Sequence, residues 1–341
     1  MQYGSDYSVF NYKSILVTGG TGSFGRQFVR QVMERSTPRR LIVFSRDELK
    51  QYEMQADMAA VPNASCLRYF IGDVRDLSRL EMALRDVQFV IHAAALKQVP
   101  TAEYNPFECI HTNVLGAENV VRASLRCGVK SVVALSTDKA CSPINLYGAS
   151  KLASDKIFVS AKHLAGDLDL RFSVVRYGNV IGSRGSVLPL FQRMIAAGAD
   201  SLPITDPRMT RFWISLEQGV DFVVSCLGSM QGSEIFVPKI PSMNVVDLAK
   251  ALAPELPHRI VGIRPGEKLH EVMITEDDAR NVIELADRYV LCPQHAEWSN
   301  AALLAAGGVA VSDDFRYSSD KNPEWLDEAA LLALIKPRQM H

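Results

Sequence analysis

The sequence predicts an α/β protein with a doubly wound parallel sheet and a smaller C-terminal lobe. Short apolar runs alternate with helical segments between Ser14 and Tyr177. This alternation is typical of strands that are joined by helices in a parallel sheet. After Tyr177 prolines and glycines become frequent and the alternation breaks up, which indicates a second lobe of different construction.

Six apolar runs are predicted as strands, at residues 14–18, 41–45, 67–71, 89–95, 129–136 and 172–177. Helices are predicted at about 23–34, 47–58, 112–127 and 147–163. The first domain is therefore expected at 12–177, with 205–230 packing back on it. The smaller lobe takes 178–204 and 231–295. The tail at 296–341 is expected to be partly helical, at 300–308 and 325–335.

Composition excludes several classes of protein. The net charge of −1 gives no case for binding nucleic acid. Six cysteines contain no CxxC pair and seven histidines no HxxxH pair, so we predict free thiols and no metal site. No signal-peptide core opens the chain, and its longest apolar stretch, 301–311, is far shorter than the ~20 residues of a membrane span. We expect a cytoplasmic protein that does not bind the membrane.

A glycine-rich turn predicts a dinucleotide site. Gly19, Gly22 and Gly25 form GxxGxxG between the first strand and the first helix. Glycine permits the tight turn there and lets backbone N–H groups approach a pyrophosphate at the helix N-terminus. The sheet is therefore predicted to be of the Rossmann type, and the cofactor contacts in this turn are Gly19, Thr21, Gly22, Ser23, Phe24 and Gly25.

The end of the second strand favours NADP over NAD. An NAD enzyme commonly places an acid there to bind the ribose, whereas this chain has Ser45 and Arg46. Arg46 is suited to pair with a 2′-phosphate. Asp47 and Glu48 keep NAD open as the alternative, since an inward turn of either would place an acid at the ribose. The remaining predicted cofactor contacts are Lys50, Asp73, Val74, Ala93, Ala94 and Ala95.

The stretch STDKACSPINLYGASK, from Ser136 to Lys151, carries the candidate chemistry. Tyr147 and Lys151 are spaced i, i+4, so they share one face of a helix and line the cofactor site as well. An ammonium near a tyrosine favours phenolate, which lets the phenol act as a base despite its ordinary pKa of about 10. Thr137 is placed to hydrogen-bond the same substrate hydroxyl.

Asp138 and Lys139 directly follow the buried fifth strand, where the carboxyl ends of parallel strands form a ligand crevice. An acid beside a possible base suits a β-elimination, in which the acid protonates a leaving hydroxyl and the base removes a proton α to a ketone. For Lys139 to be that base, its pKa must fall by several units. Burial and neighbouring cations, including Lys151, are expected to lower it.

The YxxxK pair after a nucleotide-binding half resembles the extended short-chain dehydrogenase/reductase superfamily. Over about residues 12–295 the chain also resembles the inverting UDP-N-acetylglucosamine 4,6-dehydratases that begin pseudaminic acid biosynthesis. The stretches that carry this likeness include ILVTGGTGSFG, FSRDELKQ, IGDVRDL, IHAAALKQVPTAEYNP, LSTDKA, PINLYGASK, VVRYGNVIGSRGSV, ITDPRMTRFWI, GSEIFVPKIPSM and GIRPGEKLHEVMI.

The resemblance implies a cytoplasmic homo-oligomer, a dimer or a hexamer, with tightly held NADP and UDP-N-acetylglucosamine as substrate. It implies that Tyr147, helped by Lys151 and Thr137, takes the C4 hydroxyl proton as hydride leaves C4. Lys139 then removes the C5 proton and Asp138 protonates the departing C6 hydroxyl. Hydride return to C6 and reprotonation of C5 from the other face complete the reaction. Retaining and capsule-type dehydratases typically carry methionine where this chain has Tyr147, which supports inversion.

A nucleotide sugar also needs cationic or amide donors for its diphosphate. Arg264 lies in the Pro/Gly turn of IRPGEKLHE, and Glu267 is placed to bind ribose or to orient that arginine. The further predicted substrate contacts are Lys97, Tyr177, Asn179 and Arg211. Two other functions stay open: a nucleotide-sugar 4-epimerase, which needs no Asp138–Lys139 pair, and a non-catalytic NADP-binding regulator, which needs no intact Tyr147/Lys151 pair.

Overall fold

A computed structural model describes residues 3–183, 185–294 and 298–335 of the chain. The strands in these ranges are β1 (Ser14–Thr18), β2 (Arg40–Ser45), β3 (Leu67–Ile71), β4 (Phe89–His92), β5 (Ser131–Thr137), β6 (Arg171–Tyr177), β7 (Asn179–Val180), β8 (Leu202–Ile204), β9 (Thr210–Ile214), β10 (Ile235–Pro238), β11 (Ser242–Asn244), β12 (His258–Ile260), β13 (Val272–Ile274), β14 (Val282–Glu284), β15 (Arg288–Leu291), β16 (Val309–Ala310) and β17 (Tyr317–Ser318).

The α-helices of the same ranges are α1 (Ser23–Arg35), α2 (Glu48–Met58), α3 (Leu77–Ala83), α4 (Val99–Tyr104), α5 (Pro106–Ile110), α6 (Gly116–Cys127), α7 (Leu146–Ala165), α8 (Val187–Ala196), α9 (Leu216–Ser229), α10 (Val245–Leu252), α11 (Glu276–Ala279), α12 (Ala301–Ala305) and α13 (Glu328–Ile335). A π-helical turn at His111–Leu115 leads into α6. No described helix is both long and apolar enough to cross a bilayer.

One large sheet organises the molecule. In the described residues its strands follow the order β16-β14-β15-β10-β6-β5-β4-β1-β2-β3. The run from β3 to β10 is parallel, and β15, β14 and β16 extend it antiparallel. The predicted doubly wound parallel sheet is confirmed. The strand order reverses between β1 and β4, and such a switch point is where open α/β sheets bind ligands.

A second hydrophobic core lies outside this sheet. It contains Phe191 of α8, Trp213 of β9, Leu248 of α10 and Leu331 of α13, all at most 1% exposed. Two small sheets frame it, one with the order β11-β9-β7 and the other pairing β12 with β8. We call this unit the second lobe.

The division along the chain differs from the predicted one. Residues 231–295 were assigned to the smaller lobe, but β10, β14 and β15 of that range pair within the large sheet. In the range 205–230, α9 packs on α1, whereas β9 pairs with β7 and β11 in the second lobe. Strands β14 and β15 follow each other without a helix of two turns between or after them, so the alternation that marks the first six strands is missing there. The exact domain boundary stays a prediction.

The tail after residue 293 joins both parts of the structure. Strand β17 pairs with β13. Asn322 donates from Nδ2 to the Ile240 carbonyl oxygen at 2.8 Å and to Ser242 Oγ at 3.0 Å. The structure has helices at 301–305 and 328–335, within the two stretches predicted to be helical. Residues 296–297 and 336–341 of the predicted tail lie outside the described residues. We call 309–335 the C-terminal segment.

The second core gives a stability prediction for this segment. Leu331 is fully buried, whereas Leu304 of α12 is 47% exposed. Leu331→Ala should lower the free energy of unfolding by about 2–5 kcal/mol, because it leaves a cavity in a packed core. Leu304→Ala should change it by less than about 0.5 kcal/mol. Guanidinium unfolding followed by circular dichroism measures both, and equal effects would show that α13 is not part of the core.

Candidate active site

The candidate residues converge on one cavity. Its volume is about 1060 Å³, and it lies over the carboxyl ends of the parallel strands and against the second lobe. The cavity is lined by every predicted cofactor and substrate residue and by the predicted catalytic residues except Asp138. Asp138 lies immediately behind the wall, with none of its surface exposed. The structure therefore brings together residues that are spread from position 19 to position 271.

The glycine turn has the shape that a pyrophosphate requires. Gly19 adopts φ +65°, and a Cβ there would lie 2.8 Å from the Ala94 nitrogen. A Cβ on Gly25 would lie 2.5 Å from the Gly20 Cα, so α1 can approach the turn only without a side chain at this position. The N-cap Gly22 offers no side-chain cap to the first turn of α1, and a helix N-terminus of this kind favours an anion. These features fit a dinucleotide.

Arg46 stands at the end of β2, and Arg75 follows β3. Arg46 Nη1 lies 3.5 Å from Asp73 Oδ2, and Arg75 pairs with the same oxygen at 2.7 Å. Asp47 was considered as an inward-turned acid, but its side chain caps α2 by accepting from the Lys50 N–H at 3.0 Å and pairs with Lys50 Nζ at 2.8 Å. The Ser45 hydroxyl accepts from Gln51 Nε2 at 3.0 Å.

Helix α7 presents Tyr147 and Lys151 to the cavity from successive turns. Asn145 begins the helix by accepting from the Gly148 N–H at 2.8 Å. Burial raises the pKa of Tyr147 to about 12, while the Lys139 ammonium and the Thr137 hydroxyl oppose the shift. Lys151 is predicted from the sequence to supply the opposing charge, whereas in the structure the largest opposing charge comes from Lys139. Burial lowers the pKa of Lys151, and the buried Asp155 one turn further on opposes that shift.

Asp138 lies in surroundings that favour its protonated form. Its Oδ1 accepts from Thr137 Oγ1 at 2.9 Å and from Lys139 Nζ at 3.1 Å. Its Oδ2 is buried and has no hydrogen-bond partner within the described residues. Burial raises the pKa of Asp138 against the opposing charge of Lys139, and the carboxylate of Glu271 raises it further. A carboxylic acid with one free oxygen can donate a proton to a group bound beside it.

Lys139 differs from its predicted state. Its Nζ lies 3.1 Å from Asp138 Oδ1 and 3.3 Å from Glu271 Oε1. Burial alone would lower the pKa of Lys139, but the two carboxylates outweigh burial and raise it. The predicted fall is therefore wrong for this arrangement. The physical reason is a second carboxylate, Glu271, which reaches the amine from a distant part of the chain.

Glu271 is a site residue that the sequence analysis missed. It lines the cavity at the start of β13 and is 2% exposed. The segment GEKLHE contains two glutamates, and Glu267 was chosen for its place beside Arg264 in the Pro/Gly turn. One signal was present: a charged residue directly before the apolar run Val272–Ile274 must be buried with a partner if that run is a buried strand.

The predicted substrate residues fall into two groups. Arg211 is buried, and its guanidinium donates to the Thr210, Lys268 and Leu269 carbonyl oxygens at 2.7, 2.9 and 3.1 Å. It therefore holds the second lobe together as it lines the cavity. Arg264 is exposed at the cavity rim and pairs with Glu267. Lys97, whose pKa is lowered by burial and by Lys139, reaches the cavity from the loop after β4. Tyr177 reaches it from the end of β6, and Asn179 reaches it from β7.

No cluster of three His, Cys, Asp or Glu residues in the described ranges could hold a metal ion.

This fold and this cavity define a Rossmann-type nucleotide-binding protein. A family model described as polysaccharide biosynthesis protein matches residues 15–293, and the chain belongs to that family. The chain is 57% identical over 333 residues to a UDP-N-acetylglucosamine 4,6-dehydratase (inverting) of Campylobacter jejuni, a match that covers 96% of this chain and 98% of the relative. It is 39% identical over 316 residues to a UDP-glucose 4-epimerase of Rickettsia canadensis, covering 90% and 91% of the two chains.

Solved structures also match this fold. Pen from Bacillus thuringiensis superposes with a TM-score of 0.85 at 33% identity, covering 96% of this chain and 98% of that one. The dTDP-glucose 4,6-dehydratase DesIV from Streptomyces venezuelae, with NAD and TYD bound, superposes with a TM-score of 0.66 at 27% identity, covering 75% and 86%. The match to the Campylobacter relative is longer than the resemblance over 12–295, so most of the tail belongs to the shared sequence.

The glycine turn gives a binding prediction. Gly25→Ala should weaken binding of NADPH or NADH at least about tenfold, because the new Cβ displaces α1 from the turn. Gly219→Ala in α9, where an added Cβ meets nothing within 4 Å, is the matched control and should leave both affinities unchanged. Titration followed by nucleotide fluorescence measures them. An unchanged affinity in Gly25→Ala would remove this turn from the dinucleotide site.

Proposed function

We propose that this protein is a UDP-N-acetylglucosamine 4,6-dehydratase that inverts C5 and releases the 4-keto-6-deoxy sugar nucleotide of the L-arabino series. The buried Asp138 carboxyl, which lies behind the cavity wall and pairs with Lys139, carries the proposal together with Lys139 and Tyr147, which line the cavity. An acid, an amine and a phenol at one point suit a reaction that oxidises, eliminates and reprotonates. The relative from Campylobacter jejuni, at 57% identity over nearly the whole chain, supports the substrate and the stereochemistry.

The cofactor we propose is NADP. When bound, its nicotinamide supplies the acceptor for the C4 hydride and returns the hydride at C6. Gly19, Gly22 and Gly25 form the turn for its pyrophosphate, as the cradle without side chains indicates. Arg46, Asp47 and Lys50 line the cavity at the end of β2, and the Asp47 carboxylate is already engaged there by the Lys50 N–H and the Lys50 ammonium. Two cations and no free acid suit a 2′-phosphate better than a bare ribose.

Tyr147 is the group we propose to take the C4 hydroxyl proton. The phenol must ionise first, and burial opposes this. The Lys139 ammonium favours the phenolate, and the positive charge of an oxidised nicotinamide would act in the same direction. Thr137 is placed to hold the substrate hydroxyl, and Lys151, whose pKa burial lowers and Asp155 raises, lines the same cavity. The oxidised C4 makes the C5 proton acidic.

The elimination requires Asp138 as an acid and Lys139 as a neutral amine. Their hydrogen bond of 3.1 Å allows one proton to pass from Lys139 Nζ to Asp138 Oδ1, which creates both forms without any proton from solvent. Lys139 then takes the C5 proton, the C5–C6 double bond forms and the C6–O bond breaks. Asp138 gives its proton to the departing hydroxyl, which leaves as water. The pair is then again an ammonium and a carboxylate. After hydride returns to C6, C5 receives a solvent-derived proton on the opposite face, and Tyr147 releases to solvent the proton that it took from the C4 hydroxyl.

An epimerase is the second candidate, because relatives of 39% identity bear the name UDP-glucose 4-epimerase. Tyr147, Lys151 and the glycine turn would serve that reaction equally well. It needs no acid at C6, however, and burying Asp138 with an unpaired oxygen would then cost free energy without a function. We therefore favour the dehydratase. We further propose, from the sequence resemblance, that the enzyme is a cytoplasmic homo-oligomer, a dimer or a hexamer, and opens pseudaminic acid biosynthesis.

The activity is tested by incubating the purified protein with UDP-N-acetylglucosamine in D2O without added cofactor and reading the product by proton NMR. The expected product is a 6-deoxy-4-keto sugar with L-arabino coupling and deuterium at C5. The C5 deuterium arises because the proton that Lys139 removes is not the one returned to the opposite face. A D-xylo product would mean retention, and UDP-N-acetylgalactosamine would mean an epimerase. Absence of turnover would overturn the substrate assignment.

The cofactor is tested by Arg46→Ala. This change should weaken NADP binding roughly tenfold or more and leave NAD binding unchanged, because a charged hydrogen bond to the 2′-phosphate is lost. Arg122→Ala on α6 is the matched control, since its side chain is 46% exposed against 50% for Arg46. Calorimetric titration of the cofactor-free protein gives the affinities. Equal losses for NAD and NADP in Arg46→Ala would contradict the NADP proposal.

A further inference from the structure

A second carboxylate reaches the acid–base centre from the far end of the chain. Glu271 Oε1 lies 3.3 Å from Lys139 Nζ and 3.7 Å from Arg211 Nε. The side chain is almost completely buried, and its Oε2 has no hydrogen-bond partner within the described residues. Lys139 therefore sits between two carboxylates, one adjacent in sequence and one contributed by the strand β13 region.

We propose that Glu271 is the positioning residue of this centre: its carboxylate holds the Lys139 ammonium against Asp138, and its charge sets the pH range in which the C5 proton is removed. The proposal rests on the proposed dehydratase function, because it assigns Lys139 a proton transfer. Glu271 acts through Lys139 and need not touch the substrate.

The charges around Lys139 give the direction of the effect. Asp138 and Glu271 favour its ammonium, as does Tyr147 when ionised, whereas burial, Arg211 and the nearby Lys97 disfavour it. Replacing Glu271 with glutamine removes one of the two close anions and leaves Lys139 facing Arg211. The neutral amine should then form at lower pH.

Arg211 should keep its place in such a variant. Its guanidinium is held by the backbone carbonyl oxygens of Thr210, Lys268 and Leu269, none of which depends on Glu271. The change is therefore confined to the charge beside Lys139.

The C-terminal segment fixes Glu271 in this position. The Glu271 N–H donates to Ser319 Oγ at 2.9 Å, and the Ser319 N–H donates to the Glu271 carbonyl oxygen at 2.8 Å. The Ser319 hydroxyl also lies 2.7 Å from Thr210 Oγ1, which ties the pair to β9. Ser319 itself is fully buried. A residue that does not line the cavity thus determines where the second carboxylate stands.

The decisive measurement is the titration of Lys139 itself. Reductive ¹³C-methylation labels the lysine amines, and a spectrum of Lys139→Met identifies the missing resonance. In Glu271→Gln the Lys139 titration should move to lower pH by roughly one to three units, since an opposite charge this close shifts a pKa by that much. The rising limb of the pH profile for C5 deuterium incorporation should move in the same direction, with KM changed much less than kcat.

Glu276→Gln is the matched control, because Glu276 is exposed in the first turn of α11 and contacts none of these groups. It should leave the titration and the activity unchanged. If Glu271→Gln titrates like Glu276→Gln, the proposal is overturned. If Glu271→Gln fails to fold, Ser319→Ala is the second variant. A smaller shift of the Lys139 titration to lower pH supports the positioning role, and an unshifted titration contradicts it.

The titration needs no turnover. A wild type that is inactive on UDP-N-acetylglucosamine would therefore contradict the proposed function, and the Lys139 titration could still be measured.

Discussion

Enclosure of four charged side chains at one point is the constraint on which this structure depends. Asp138, Glu271 and Arg211 are buried, the side chain of Lys139 is 27% exposed where it lines the cavity, and the four alternate in charge. A single charge left unpaired in such a place costs several kcal/mol. The large sheet, the second lobe and the C-terminal segment must therefore be docked together for any one of these charges to be tolerated. The cavity is the space that remains where they meet.

The same cluster shifts the pKa values of Asp138 and Glu271 in opposite directions. Burial raises the pKa of Asp138, because only Lys139 opposes it strongly. Burial acts on Glu271 as well, but Lys139, Arg211 and Lys268 together outweigh it and lower the pKa of Glu271. Groups whose environments push their pKa values apart can serve as acid and as fixed charge at the same pH. Asp138 is thus the carboxylate that can carry a proton, and Glu271 is the one that stays ionised.

Local signals explain which parts of this structure could be predicted from the sequence. The first six strands were predictable because each is a buried apolar run followed by a helix, and the glycine turn because Gly19, Gly22 and Gly25 stand between such elements. Strand β10 was misplaced because its parallel partner β6 lies about 60 residues earlier in the chain, and the hairpin of β14 and β15 joins the large sheet only through β10. The direction of the Lys139 pKa shift could not be predicted from the sequence. Its neighbour Asp138 is adjacent in the chain, but the second carboxylate, Glu271, lies 132 residues further on.

The arrangement also explains how one fold can hold enzymes of different chemistry. Tyr147, Lys151 and Thr137, the residues proposed for oxidation at C4, all belong to β5 and α7 of the large-sheet domain. The groups proposed for elimination depend on more: Lys139 is held by Glu271, Glu271 by Ser319, and Arg211 by the loop before β13. The groups proposed for oxidation therefore lie in one domain. Those proposed for elimination depend on contacts between the large-sheet domain, the second lobe and the C-terminal segment. Changes in the second lobe or the C-terminal segment can alter the second reaction without disturbing the first, because function resides in a site built onto the fold.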